Sequence, residues 1–244
     1  MSRFERLDGL LLFHDSNKAR KLKYNLLAAE ESGHRTLITA GGAYSNHLPA
    51  VAKAGREHGF RTIGIVRGEP VNNPSLQRCE ASGMELSFMD RTSFRNWEEH
   101  VDTSGCHVIP MGGSNALGAK GCAEIPQDIQ EDYDLICCPV GTGGTLAGLA
   151  RGLPEGKAAL GFSVLKGGGF LNDDVKRLQR EAFGCTTDNW SINLDFHCGG
   201  YAKRDHRLDP RWEQVYVAKM MLGIQTLAGE GKLDGLRIVA LMTG

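Results

Sequence analysis

A single lysine, Lys18, occupies a position where its amine could carry out carbonyl chemistry. It follows Ser16, a residue type that favours the N-cap of a helix, and apolar residues then recur at helical spacing. A cation at a helix start meets the positive end of the helix dipole, and Arg20 and Lys21 add repulsion, so the pKa of Lys18 should be lowered. A neutral amine is what a Schiff base with an aldehyde requires. The alternative is that residues 18–23 form a solvated helix face.

Three glycine-rich turns supply places for anionic groups. Each turn leaves an apolar, strand-like segment and leads into a helix start, and each carries side-chain hydroxyls or amides. Backbone N–H groups at the carboxyl end of a parallel strand can hold a phosphate or a carboxylate. The three turns lie at residues 39–47, 110–115 and 140–145. Together they indicate a polar ligand with more than one anionic group.

The familiar nucleotide motifs do not fit these turns. The third turn, GTGGTLAG, has Leu146 where a dinucleotide fingerprint needs its third glycine, and the P-loop spacing from Gly113 to Gly118 is followed by Ala119 instead of lysine. A nucleotide-linked α/β enzyme is therefore disfavoured. A compact phosphate ester that also offers an aldehyde would fit both the turns and Lys18.

The elements that must position these residues alternate between strand and helix. Short apolar runs rich in β-formers precede amphipathic stretches, a pattern typical of parallel strands joined by right-handed crossovers. The predicted strands are 36–40, 61–66, 84–89, 107–110, 135–140, 159–165 and 237–242, and the predicted helices are 46–58, 74–82, 93–101, 116–131, 146–151, 173–183 and 215–229. Residues 184–211 are the least regular and could form a loop that covers a site.

Composition excludes several classes of partner. With 244 residues, 41% of them hydrophobic, the chain can bury a substantial core in one or two domains. Its net charge is −1, from 28 basic and 29 acidic residues, so neither nucleic acid nor a membrane surface is expected as a partner. The seven cysteines form no CxxC pair, so we expect no metal site and no disulfide framework. We expect the protein to be located in the cytoplasm.

Four ordered motifs carry a family resemblance: NKARKLKYN, GGAYSNH, GGSNALGAKGCAEI and GTGGTLAG. With FSVLKGG, GGYAK and the end LMTG, they resemble the pyridoxal-phosphate enzymes of the 1-aminocyclopropane-1-carboxylate deaminase and D-cysteine desulfhydrase family. The resemblance implies a tryptophan-synthase-β-like fold (fold type II): three-layer α/β, with parallel sheets and two domains around a cofactor cleft. The larger domain would comprise residues 1–23 and 111–244, and the smaller would be residues 24–110. It also implies a homodimer.

The same resemblance implies roles for individual residues. Lys18 would form the Schiff base with pyridoxal 5'-phosphate, and Asn46 would bind the ring hydroxyl oxygen. Thr243 would place its hydroxyl at the pyridine nitrogen. Ser45 would hold the substrate carboxylate and, as a catalytic residue, assist proton movement. The phosphate would be cradled by Gly141, Thr142, Gly143, Gly144 and Thr145.

Two tyrosines are candidates for the substrate side of the site. The resemblance puts Tyr201 near the substrate as an acid or base, and a structural role beside the glycine pair is its alternative. Tyr216 is a weaker candidate for contact with the cofactor ring, because its helical pattern with Val215 and Met220 favours packing in the core.

The implied reaction is that of a deaminase or lyase. A small amino acid resembling D-cysteine or 1-aminocyclopropane-1-carboxylate would be converted into a 2-oxo acid and ammonia, with sulfide also released from a thiol substrate. The last step of the implied reaction is hydrolysis of an enamine and an imine. The protein is therefore also expected to act as a hydrolase. The alternative is a truncated, catalytically weak or silent pyridoxal-phosphate-binding homologue, since family members usually carry a longer N-terminal segment and continue beyond the final glycine.

Overall fold

Two β-sheets with helices packed against them make up the part of the chain described by the computed structural model, residues 4–243. The helices are α1 (Asn17–Glu31), α2 (His47–His58), α3 (Pro74–Ala81), α4 (Ala116–Cys122), α5 (Gly144–Gly152), α6 (Leu171–Phe183) and α7 (Val217–Gly229). None of these helices is long and apolar enough to cross a membrane.

The larger sheet has six strands, and a strand from the C-terminal part of the described chain lies between one from the N-terminal part and one from the middle. The strands in sheet order are β1 (Phe4–Leu7), β2 (Leu10–His14), β10 (Ile238–Met242), β7 (Leu135–Val140), β8 (Ala158–Ser163) and β9 (Trp190–Asn193). β1 is antiparallel to β2 and all other pairs are parallel; Ala240 of β10 pairs with Leu12 on one side and Cys137 on the other. Every residue of β7 is buried, as expected of a strand covered on both faces.

Helices cover both faces of this sheet, which gives the three-layer architecture. One face packs Phe13, Ile136 and Val239 against α5 and α6. The opposite face packs Leu12 and Ala240 against α7. Adjacent strand residues point to opposite faces, so alternating apolar side chains in β2 and β10 supply both cores.

The smaller sheet has four parallel strands and is built from the segment between α1 and α4. Its strands in sheet order are β5 (Met84–Met89), β4 (Arg61–Arg67), β3 (Thr36–Gly42) and β6 (Cys106–Ile109). Leu37 packs towards α1, α2 and α3, whereas Ile38 packs towards Phe94 and Trp97 on the other face. The prediction of parallel strands joined by helices is confirmed.

Some predicted elements differ from the structure. The helix predicted over 116–131 ends at Cys122, and a short 3₁₀ helix, Ile125–Asp128, replaces its second half because Pro126 has no N–H to continue an α-helical ladder. The helix predicted over 93–101 is a 3₁₀ segment with a kink at Asn96. The region expected to be a covering loop, 184–211, contains edge strand β9 and adopts no regular structure after it until α7.

Candidate active site

A cavity of about 230 Å³ lies where the carboxyl ends of strands from both sheets meet the start of α1. Such edges are the usual place for ligands in parallel α/β sheets. The cavity brings together the predicted residues Lys18, Ser45, Asn46, Gly141, Thr142, Gly143, Thr145, Tyr201, Tyr216 and Thr243. Gly144 does not line it; this residue begins α5 and faces Ser114, whose Oγ would lie 2.6 Å from an added Cβ.

Lys18 is the second residue of α1 and its amine is largely withdrawn from water. Ser16 is the N-cap residue, and its hydroxyl accepts a hydrogen bond from the Ala19 N–H at 3.4 Å. Burial, together with the nearby charge of Lys21, lowers the pKa of Lys18 to about 7. Arg20 does not add the expected repulsion, because its guanidinium bonds Asp15 at 2.9 Å. Lys18 can therefore exist as a neutral amine near neutral pH.

We expect the reaction of Lys18 with aldehydes to increase as pH rises through about 7. The pKa of Lys18 is about 7, and the neutral, reactive fraction of an amine grows above its pKa. Labelling the protein with a small aldehyde and a reductant, followed by peptide mass analysis, measures this. A Lys21→Gln variant should shift the midpoint upward by removing a like charge. A Lys18 midpoint near the ordinary lysine value of about 10.4 would contradict the assignment.

The third glycine turn presents backbone N–H groups to the cavity, while its hydroxyls bond other parts of the protein. Thr142 Oγ1 lies 2.5 Å from Ser114 Oγ, and Thr145 Oγ1 accepts a hydrogen bond from Asn17 at 2.9 Å. Gly143, at φ +78°, is the N-cap residue of α5. The first N–H groups of a helix have no partner within the helix, so this turn is suited to bind an anion.

The first glycine turn also contributes Ser45 and Asn46 to the cavity lining. The Ser45 N–H donates to the Gly42 carbonyl at 2.9 Å, and its hydroxyl oxygen accepts from the His47 N–H at 3.1 Å. That hydroxyl keeps its own proton for donation to a ligand. Asn46 is the N-cap residue of α2, but its side chain makes no cap hydrogen bond, so the amide remains available to the cavity.

Tyr201 and Tyr216 form one wall of the cavity. Their rings meet edge to face with centroids 6.0 Å apart, and Lys18 Nζ lies 5.9 Å from the Tyr216 ring centroid. Burial raises the pKa of both phenols above the usual value of tyrosine, so both are neutral proton donors at neutral pH. The expectation that Tyr216 belongs to a core-facing helix is wrong, because α7 begins only at Val217 and Tyr216 lines the cavity.

The polar residues of the cavity that were not predicted as ligands include Lys21 and His47. Lys21 is buried, and its Nζ donates to the Gly112 carbonyl at 2.9 Å and to Ser114 Oγ at 3.3 Å. His47 is 1% exposed, with Nε2 2.9 Å from Thr39 Oγ1, and within the described residues its Nδ1 has no hydrogen-bond partner. Burial and the two lysines lower the pKa of His47 well below 6.5.

The sequence contained a signal for each of these residues. Lys21 is three positions after Lys18, which places both side chains on one helix face, and His47 directly follows Asn46 in the first glycine turn.

Comparisons with known proteins agree with this geometry. The family described as pyridoxal-phosphate dependent enzyme matches residues 10–165. A Thermotoga maritima protein named "Putative 1-aminocyclopropane-1-carboxylate deaminase" is 35% identical over 88% of this chain and 74% of its own length. D-cysteine desulfhydrase of Klebsiella pneumoniae is 31% identical over 62% of this chain and 52% of its own length. The solved structure of a homologue of 1-aminocyclopropane-1-carboxylate deaminase superposes with TM-score 0.85 and 25% identity, covering 97% of this chain and 85% of that one.

The fold and the matched family define a pyridoxal-phosphate-dependent enzyme of fold type II. Within that class, the chain belongs to the 1-aminocyclopropane-1-carboxylate deaminase and D-cysteine desulfhydrase family. The expectation of a hydrolase is wrong, because the activities in the relatives' names are those of pyridoxal-phosphate lyases.

Pyridoxal phosphate is the cofactor of this family, and the cavity fits it. A neutral amine at Lys18 suits its aldehyde, the N–H groups at the start of α5 suit its phosphate, and the neighbouring ammonium of Lys21 adds positive charge.

Proposed function

We propose that the protein is a pyridoxal-phosphate-dependent deaminase or lyase that converts a small amino acid, D-cysteine-like or 1-aminocyclopropane-1-carboxylate-like, into a 2-oxo acid and ammonia. The observation that carries the proposal is Lys18: a largely desolvated amine with a pKa of about 7, facing a cavity with an anion-binding turn. The names of the relatives supply the substrate class.

The cofactor would be held at four points. Lys18 would bind its aldehyde, and Asn46 its ring hydroxyl oxygen, since that amide is free of cap hydrogen bonds. Thr243, 6% exposed and at the end of β10, would meet the pyridine nitrogen with its hydroxyl. The phosphate would lie against the turn 141–145, of which Gly141, Thr142, Gly143 and Thr145 line the cavity and Gly144 begins α5. When bound, the cofactor supplies the electron sink for breaking bonds at the substrate carbon.

The chain's own groups would orient the substrate and move protons. Ser45 and the backbone of its turn would bind the substrate carboxylate, because the Ser45 hydroxyl retains a donor. In its neutral form Lys18 Nζ can accept a proton from a substrate carbon. Tyr201, protonated at neutral pH, can donate one, and its ring lies 3.8 Å from the position of an added Cβ at Gly42, beside the carboxylate turn. Tyr216 would pack near the cofactor ring.

We also propose the arrangement of the whole molecule. The division into residues 24–110 and residues 1–23 with 111–244 is supported by the two separate sheets, whose strands fall on either side of those boundaries. A cytoplasmic homodimer is proposed from the composition and the family resemblance.

We expect the purified protein loaded with pyridoxal phosphate to form a 2-oxo acid and ammonia from at least one member of a panel containing D-cysteine, L-cysteine and 1-aminocyclopropane-1-carboxylate. Sulfide release identifies a cysteine substrate. The measurement is a coupled assay for the 2-oxo acid, and the untreated assay mixture without protein is its control. A loaded protein that produces no 2-oxo acid from any amino acid would indicate a silent cofactor-binding homologue and contradict the proposal.

A further inference from the structure

Lys219 is a buried lysine outside the cavity. It lies in the first turn of α7 and its side chain has no exposed surface. Its Nζ donates to the Gly200 carbonyl at 2.7 Å, and burial lowers its pKa. None of the ion pairs found in residues 4–243 includes Lys219, and the nearby carboxylate of Glu213 only partly offsets the desolvation. A buried ammonium with no carboxylate partner is costly, so it is poorly suited to a purely stabilising role.

The carbonyl that Lys219 binds belongs to a turn with an unusual backbone. Cys198, Gly199, Gly200 and Ala202 have φ values of +52°, +83°, +120° and +54°. Positive φ is disfavoured for residues with a Cβ, so Cys198 and Ala202 need surrounding structure to hold them there. The turn itself belongs to no strand or helix of the described residues, since β9 ends at Asn193 and α7 begins at Val217.

This turn carries Tyr201 into the cavity. Tyr201 meets the ring of Tyr216, which directly precedes α7, and the N–H of Tyr216 donates to Glu213 at 2.8 Å. Lys219 therefore ties the backbone on one side of Tyr201 to the helix that begins beside Tyr216. Helix α7 therefore links the segment that carries the Tyr201 ring to the residue, Tyr216, whose ring it meets.

We propose that Lys219 is a positioning residue, whose hydrogen bond to the Gly200 carbonyl holds the turn 198–202 so that the phenol of Tyr201 faces the cavity. The inference rests on the role proposed above for Tyr201. A rotation of the Gly200 peptide would move Tyr201 directly, since the two residues are adjacent. Displacing a proton donor by about 1 Å can cost about 10²-fold in rate.

One substitution, Lys219→Met, can distinguish a loss of Tyr201 positioning from a loss of protein stability. Methionine has nearly the length of lysine and carries no charge, so Lys219→Met removes both the donor and the desolvation cost. The Gly200 carbonyl keeps one bond, because it also accepts the Lys203 N–H at 3.1 Å. We expect the melting temperature of the variant to equal or exceed that of the parent, while kcat falls by about 10- to 100-fold.

The test uses the cofactor-loaded full chain and three readouts. Lys219→Met should lower kcat, should leave cofactor affinity unchanged, and should speed amide hydrogen exchange at residues 198–203. Combined with Tyr201→Phe, it should cause little further loss of kcat, because Lys219 acts through Tyr201. The matched control is Lys232→Met, an exposed lysine just beyond α7, which should change none of these quantities.

Two results would overturn the inference. One is an unchanged kcat in Lys219→Met together with unchanged hydrogen exchange. The other is a kcat loss that is accompanied by a lower melting temperature and is fully additive with Tyr201→Phe, which indicates a merely structural role. If Tyr201→Phe itself is fully active, the proposed role of Tyr201 fails, and exchange at residues 198–203 alone then decides whether Lys219 holds the turn.

Discussion

Replacing Lys18 with alanine is expected to abolish both the covalent capture of pyridoxal phosphate and turnover, with activity reduced by at least about 10³-fold. Lys18 combines a pKa of about 7 with a place in the cavity, so no other group supplies the same neutral amine at the same point. The loss should appear in kcat and as absence of the visible absorbance band of the lysine-bound cofactor. Both are measured on purified protein incubated with excess cofactor.

The control for this variant is Lys23→Ala. Lys23 lies on the same helix, but its side chain is half exposed and pairs with Glu124 at 2.7 Å. Its removal should leave absorbance and kcat close to the parent, since surface ion pairs contribute little to stability. Retained turnover in Lys18→Ala would show that another group performs the chemistry.

Replacing Gly143 with alanine is expected to weaken cofactor binding by about 10²-fold. Gly143 adopts φ +78° at the N-cap of α5, and an added Cβ would lie 3.0 Å from Val175 Cγ2. Relief of that contact and of the backbone strain must move the N–H groups proposed to hold the phosphate. The dissociation constant of pyridoxal phosphate, measured by absorbance titration of the apoprotein, reports the change.

Gly156→Ala is the matched control for this second prediction. Gly156 has the same φ of +78°, but an added Cβ there meets no atom within 4 Å. Both substitutions should lower stability by about 1 kcal/mol or more through backbone strain, whereas only Gly143→Ala should change cofactor affinity. Equal affinity in both variants would show that the phosphate does not bind at this turn.

Local sequence patterns were sufficient to predict those parts of the site whose structure depends on residues close together in the chain. Ser16 marks the start of α1, and glycines between a strand and a helix mark the turns at residues 41–42 and 141–144. These features act over a few residues, so capping and turn chemistry predict them. The parallel α/β class followed in the same way from alternating strand and helix patterns.

The remaining features depend on contacts between distant segments. The hairpin of β1 and β2 was not predicted, because β2 is defined as a strand by its pairing with β10 at the other end of the chain. Tyr216 fits a helical pattern locally, but Glu213 binds the N–H groups of Val215, Tyr216 and Val217, so the helix starts after Tyr216. The burial of Lys219 depends on the turn at Gly200, nineteen residues earlier.

The most direct test asks which lysine binds the cofactor. Lys18 and Lys21 both line the cavity and both have lowered pKa values, but Lys21 is held by the Gly112 carbonyl. Borohydride reduction of the loaded protein, followed by proteolysis and mass mapping, fixes the cofactor on the lysine that bound it. The structure predicts the added mass on Lys18. Modification of Lys21, or of no lysine in α1, would contradict the assignment of this site.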